Sequence, residues 1–477
     1  MLRRFTPAAG TLAVMAALVL AGCAGMGNIQ PQSHTLPANS LKSGAAISAA
    51  APVAWPTEAW WEALGDAQLN RLVTVAVADS PTLKVAEARV RQADAIAGVA
   101  RAATLPRVDA TASTDRERYS AHSTVPAPLA GNWAWKNTAT VTAAHDLDLW
   151  GRNRDLLSAA LDDAHVASAE AQAARLTLET ALVRTYIQLW FDYKLLDQVR
   201  ASLDQRETIL DITRRRHAAG LASAIDVATV ETTLPAGRRE QEQIEESIAL
   251  LRNQLAALIG KGPGDGDAIT RPALILRAAS GLPSTLPAEL VGRRPDLTAQ
   301  RWRVESASHG IGAAKAAFYP NINIVAFAGL QSLGFSKFLN AGSETRGITP
   351  AISLPIFEGG RLRSQLGAQS AAYDAAVEQY NATLVHALLE VANTVTQMQS
   401  VQTQQKLAEQ ALASAQRSHD LAFRSFRAGI TDSLTVLSAR LLLLGEEQQL
   451  ARVEMERLDN YANLMAALGG GLKMSLP

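Results

Sequence analysis

The chain has one cysteine in 477 residues, few aromatics (5%), and no excess of either charge, with 45 Lys and Arg against 45 Asp and Glu. A single thiol excludes a disulfide framework and any cysteine-based metal site. The charge balance offers no basic face for nucleic acid and no acidic one for cations. Few aromatics and abundant alanine suit long, closely packed helices better than a globular enzyme core. The eight histidines never pair at i,i+4 on a plausible helix, and no HExxH zinc motif occurs. "GKGPGDGD", from Gly260, has the glycines of a phosphate-binding loop but not its terminal Lys-Ser/Thr. It reads instead as a link between two halves. No catalytic residue, metal ligand or cofactor is expected.

The lone cysteine has a context. Arg3 and Arg4 precede the apolar run Leu12 to Leu20, and the small residues Ala21 and Gly22 follow. This is the order of a secretory signal, and the run is well short of the ~20 residues that span a bilayer. Leu20-Ala21-Gly22-Cys23 resembles the bacterial lipobox, whose cysteine is lipidated and becomes the mature N-terminus. An ordinary signal peptide with a chance cysteine is the alternative. Because Ala24 and not Asp follows, the resemblance implies sorting to the outer membrane. Residues 1–22 are then a lipoprotein signal peptide. Cys23 carries a covalent lipid (diacylglycerol and an N-acyl chain), and 23–56 form a lipidated tether, rich in Ser, Ala, Pro and Asn from Pro31 to Pro56.

A repeat organises the rest. "SPTLKVAEARVRQADAIAGVARAATLPRV" aligns with "RPDLTAQRWRVESASHGIGAAKAAFYPNI", pairing Pro81 with Pro295, Arg89 with Arg303 and Pro106 with Pro320 at one constant offset. "LDLWGRNR" then matches "LPIFEGGRLR", and "HAAGLASAIDV" matches "FRAGITDSLTV", setting Gly220 against Gly429. The first repeat is placed at 57–262, a linker at 263–285 and the second repeat at 286–477.

Within each repeat the breakers mark the elements. Neither Gly nor Pro occurs between Gly151 and Gly220, nor between Gly367 and Gly429. Long helices are expected at about 153–218 and 361–427, beyond any ordinary globular helix and suited to a coiled coil. Shorter helices, about 81–105 and 222–260 in the first repeat, would stack end to end beside the long one. Between helices the hydrophobic period changes to two, giving two strands within about 107–149 and two within about 321–357. Trp133, Trp135, Ala139, Val141, Ala143 and Leu147 share one face, with Lys136, Thr138, Thr140 and Thr142 on the other. Hairpins on a soluble core fit this pattern. So does a transmembrane β-barrel, where lipid replaces the core. Four strands are too few to close a barrel, so several chains would have to contribute.

These features together resemble the TolC-like outer-membrane factors of tripartite efflux systems, in their lipoprotein branch. The resemblance covers everything after the tether. It rests on Trp60-Trp61, Gly65-Asp66 and Leu69-Asn70, on the Pro106 and Pro320 joints, on "WGRNR" and "GGRLR", and on "AAGLASAIDV" and "RAGITDSLTV". The fold it implies is mainly α with transmembrane β. Long α-helical coiled-coil hairpins form a trimeric periplasmic α-barrel, joined to a 12-stranded outer-membrane β-barrel with four strands per chain. The implied function is an exit duct, passing drugs or other small molecules from an inner-membrane pump and periplasmic adaptor to the exterior. The partners implied are a homotrimer, that adaptor and pump, and outer-membrane lipid, with no nucleic acid. Gly220-Leu221 and Gly429-Ile430 are implied to form the periplasmic tip where the adaptor docks.

The family often carries gate aspartates at "LDVLDA". Here the stretch is Leu434-Thr435-Val436-Leu437-Ser438-Ala439, so those acids are absent. Asp432 and Asp226 remain as gate candidates, each forming a ring of three in a trimer. The alternative for both is N-capping of exposed helix starts. "RRRH" at 214–217 reads as charge complementing a helix C-terminus, not as a nucleic-acid patch. Two rival functions share part of this pattern. A duct of a type I protein secretion system would have the same architecture. A non-porous lipid-anchored coiled-coil spacer would leave the two-faced strands unexplained.

Overall fold

A computed structural model describes residues 25–42, 53–276, 282–283 and 290–471. Cys23 and the expected signal peptide lie outside the described residues, as do 43–52 of the tether.

The first repeat runs α1 (Ala67–Asp79), α2 (Pro81–Ala102), β1 (Arg107–Arg118), β2 (Trp133–Leu147), α3 (Arg152–Ala218) and α4 (Ala224–Leu258). The second runs α5 (Pro295–Ala316), β3 (Asn321–Leu333), β4 (Glu344–Ser353), α6 (Arg361–Arg427) and α7 (Ser433–Ala467). The duplication recurs length for length. α2 and α5 have 22 residues each, α3 and α6 have 67, and α4 and α7 have 35. At 1.5 Å per residue the long pair reach ~100 Å. Both 22-residue helices begin on proline, whose missing N–H costs nothing at a first helical position. α4 continues through Pro235, a breaker that did not break.

The chain folds into two compact units, and neither is a sequence repeat. Among the described residues, one comprises 25–35, 90–167 and 300–380; the other comprises 36–42, 53–89, 168–276, 282–283, 290–299 and 381–471. The repeats interleave because β2 of the first pairs with β3 of the second in one sheet.

The first unit holds that sheet, antiparallel and ordered β1-β2-β3-β4. Its helical core gathers Ile311, Ala314, Phe318, Leu362 and Leu366. Met26 and Ile29 pack on that core. The Arg363 guanidinium donates to the Gly25 carbonyl at 2.6 Å, and the amides of Gln32 and Ser33 donate to one Asp374 carboxylate oxygen at 2.8 and 2.9 Å. This part of the expected tether is therefore strapped along α6. With no partner strand or helical turn of its own, its backbone donors are satisfied by the carboxylate.

The second unit is centred on Trp60, Leu69, Leu182, Tyr186, Leu255 and Tyr461, all buried. Asp66 is its polar hub. One carboxylate oxygen caps α1 at the Gln68 amide (2.8 Å), while the other accepts from the Tyr186 hydroxyl at 2.9 Å and the Ala273 amide at 2.8 Å. Burial pushes the Tyr186 hydroxyl well above the ordinary phenol range. The expected linker is more than a connection, since Ile269 and Leu274 are buried in this core and the Ile275 amide donates to Leu64.

Candidate functional site

The four strands carry one largely apolar face, interrupted by the Thr114–Asn137 hydrogen-bonded pair at 2.7 Å and by Arg346 opposite Ala328. Ala110 pairs with Val141, Val141 with Ala328, Ala326 with Ile348, and Ile322 with both Leu147 and Ile352. Residues directly opposite in a ladder share a face, so the alternation in each strand is in register across the sheet. Among the described residues, no helix covers that face. Val108, Val141, Ile348 and Ile352 are 65%, 51%, 75% and 72% exposed. An uncovered apolar sheet of this extent is unstable against water and stable against lipid.

Aromatic pairs stand at both ends of the apolar band. At one end Trp135 lies 5.5 Å from the Phe335 ring, and the Arg116 guanidinium lies over Trp133 and Trp135 at 5.6 and 5.8 Å. At the other, Trp150 stacks on Tyr319 at 4.6 Å and its indole N–H donates to the Pro320 carbonyl at 2.8 Å. Such girdles mark the two interfaces of a membrane-spanning strand set.

The opposite face carries Asp109, Thr111, Thr138, Thr140 and Thr142 in cross-strand register. This face is less uniformly polar than the alternation implied, because Phe327 lies in it over Gly347, where a Cβ would meet its ring at 2.8 Å. The outer edges of β1 and β4 pair with nothing among the described residues.

The helical turns repeat one device. α3 ends with Gly220 at φ +73°, its amide donating to His217 and the Leu221 amide to Arg216. α6 ends with Gly429 at φ +77°, its amide donating to Phe426 and the Ile430 amide to Ser425. Both are Schellman closures, in which glycine takes the left-handed residue at no steric cost. They leave Leu221, Ile225, Ile430 and Leu434 exposed by 71%, 77%, 78% and 58%. Four uncovered aliphatic side chains thus sit at the turns.

Asp432 is the N-cap of α7, its carboxylate accepting from the Thr435 amide at 2.9 Å and hydroxyl at 2.7 Å. Asp226 is not an N-cap. Ser223 caps α4, and Asp226, three residues on, accepts from the Ser223 amide at 2.7 Å and hydroxyl at 2.8 Å in a capping box. The Ser223 bonds hold Asp226, and the Thr435 bonds hold Asp432, below the ordinary carboxylate range. Arg216 lowers both, whereas the Asp432 charge works against ionisation of Asp226, so the two carboxylates and the guanidinium share one locality.

The "RRRH" arginines do more than complement a dipole. Arg214 pairs with Glu231 on α4 at 2.6 Å. Arg216 reaches the second turn, donating to the Thr431 carbonyl at 3.4 Å. Nothing in the local sequence separates Arg216 from its neighbours; only the placement of the two turns does.

The sequence model of the outer membrane efflux protein family matches residues 72–261 and 286–470. The chain belongs to the outer membrane efflux protein family. Among curated relatives, the fusaric acid resistance protein FusA of Burkholderia cepacia is 46% identical over 367 residues, 76% of this chain and 69% of that protein. The multidrug resistance outer membrane protein MdtP of Escherichia coli K12 is 31% identical over 429 residues, 87% of each. The outer membrane protein VceC of Vibrio cholerae superposes with a TM-score of 0.83 at 35% identity, covering 87% of this chain and 100% of that one. The outer-membrane channel OprN gives 0.84 at 25% identity, over 93% and 99%. This chain is accordingly an outer-membrane efflux channel of a Gram-negative cell, with the helical periplasmic and β-sheet membrane parts of the TolC-like fold. The sheet's uncovered face, its aromatic girdles and its location now agree.

Proposed function

We propose that three copies of the chain close into one duct, β4 of each pairing with β1 of the next to make a barrel of twelve strands. The observation that carries this is a two-faced sheet with both edges open. Unpaired edge amides and carbonyls are not stable in hydrocarbon, and closure alone satisfies them. The threonine face then lines water and the valine and isoleucine face meets lipid. The long helices from three chains enclose the continuation of the duct through the periplasm.

The cargo proposed is small organic molecules delivered by an inner-membrane pump through a periplasmic adaptor. Relatives named for multidrug and fusaric acid resistance support that class over secreted proteins. The adaptor docks on Gly220-Leu221 and Gly429-Ile430, whose neighbouring aliphatic side chains offer it an uncovered apolar surface. Asp432, the N-cap of α7, and Asp226, the N3 acid of the α4 capping box, ring the narrow end and present charge to the lumen. Cys23 carries diacylglycerol and an N-acyl chain. No cofactor is required, because the duct encloses a space and performs no chemistry.

Paired cysteines, one on β1 and one scanned along β4, test the closure. At the correct register, oxidation should give covalent trimers on denaturing gels. Monomers at every register would contradict it. Expressed with its pump and adaptor, the wild type should lower cellular accumulation of a fluorescent drug.

A further inference from the structure

Two arginines in the second unit are buried beyond what their partners account for. Arg206 on α3 is 7% exposed and Arg440 on α7 is 3% exposed. A guanidinium out of water is costly unless its donors and charge are met. Arg206 donates one Nη to the Thr233 carbonyl at 2.7 Å. The approach depends on Gly237, where a Cβ would stand 3.1 Å from that nitrogen. Arg440 has Glu447 at 3.5 Å, and its buried Nε has no hydrogen-bond partner.

Both side chains line a cavity of about 620 Å³, with Thr233, Arg239, Glu240 and Leu437. Arg239, exposed, adds a third guanidinium. The opposing acids are Glu447 and Glu240, and Glu240 also accepts from Gln448 at 3.1 Å. Cations therefore outnumber carboxylates around the cavity, and one buried donor is left over. Burial disfavours the charged form of Arg206, and the Arg440 charge adds to that while Glu240 opposes it.

We propose that this cavity binds a small free oxyanion of phosphate or carboxylate type, taken up by the Arg440 Nε and the Arg206 and Arg239 guanidiniums. Arginine forks match such anions in shape and charge. An anion here offsets the repulsion between Arg206 and Arg440 and occupies the orphaned donor. It also ties α3, α4 and α7 together ~10–20 Å along the helices from the Schellman turns, so its presence stiffens the helices that carry the turns. The inference does not depend on what the duct exports.

The test uses the purified full-length protein in detergent, with inorganic phosphate and succinate as probes and chloride at matched ionic strength as control. Phosphorus NMR line broadening reads phosphate binding, and thermal unfolding reads stabilisation by either anion. Saturable broadening with a raised melting temperature is expected for the wild type. Affinity should fall at least ~10-fold in Arg440→Gln, the loss of one strong charge-assisted contact, and measurably in Arg239→Gln. Should Arg440→Gln fail to fold, the exposed Arg239→Gln carries the test, and unchanged affinity there overturns the proposal. Absence of saturable binding to the wild type also overturns it. So does a wild type that ignores both probes while Arg440→Gln dissociates the oligomer, which would assign the cavity to a carboxylate of another chain.

Discussion

The Arg216 guanidinium lies 5.0 Å from the centroid of the Phe426 ring, so the last turn of α3 is tied to the last turn of α6. The ring is buried, within the cluster that joins Ile209, Val230, Val436 and Leu437. One residue thus links the two helical turns and acts on the carboxylates of both Asp432 and Asp226. Arg216→Gln should remove a cation–π contact worth ~0.5–2 kcal/mol and free the second turn from its bond to Thr431. Limited proteolysis at the turns should become faster, with the membrane sheet unaffected.

Gly220 and Gly429 have nothing within 4 Å of a built Cβ, so their requirement for glycine is one of backbone alone. Gly220→Ala and Gly429→Ala should each cost ~1–2 kcal/mol, the price of a left-handed L-residue. Denaturant unfolding of the helical part reads this, and Asn at either position should recover part of the loss.

Asp432→Asn separates capping from gating. Asparagine caps about as well as aspartate, so thermal stability at neutral pH should hold. If three copies ring the lumen, cation preference in single-channel recordings should fall. The pH dependence follows from the sign of the shifts. Both carboxylates are held below their unfolded value, so their contribution is complete above ~4 and lost as pH falls through the folded pKa. Melting curves should therefore be flat from pH 5 to 7 in this contribution and decline in more acid solution, less steeply in Asp226→Asn.

Cys23→Ser should abolish labelling by radioactive palmitate. The protein should remain in the outer-membrane fraction, because an acyl anchor and a barrel hold it independently. A fully soluble periplasmic mutant would contradict the barrel.

Much of this was legible in the sequence because the signals were periodic or duplicated. The absence of Gly and Pro placed α3 within a residue of its observed bounds, and likewise the C-terminal end of α6, whose start at Arg361 lies ahead of Gly367. Alternation gave the strand faces, since a shared face needs only parity. Three things were not legible. Pro235 looks like a breaker, yet the helix around it is held by packing, with Val230 and Gly237 buried. The segment at 25–36 has a linker's composition, and only the fold brings Asp374 and Asn381 to its amides. The interleaving of the repeats was hidden as well, because a duplication reveals equivalence and not which copy each strand will pair with.

The central claim is that the chain encloses a water-filled passage, with the threonine face of the sheet inside and the aliphatic face toward lipid. Conductance in planar bilayers tests it most directly. The wild type should give discrete, long-lived single-channel steps. Thr140→Arg, on the inner face, should insert normally and shift selectivity toward anions. Val141→Arg, on the outer face, should insert poorly, at ~2–4 kcal/mol for a charge near the bilayer midplane, with normal conductance in the channels that form. No conductance from correctly assembled protein, or equal effects from both substitutions, would contradict the account.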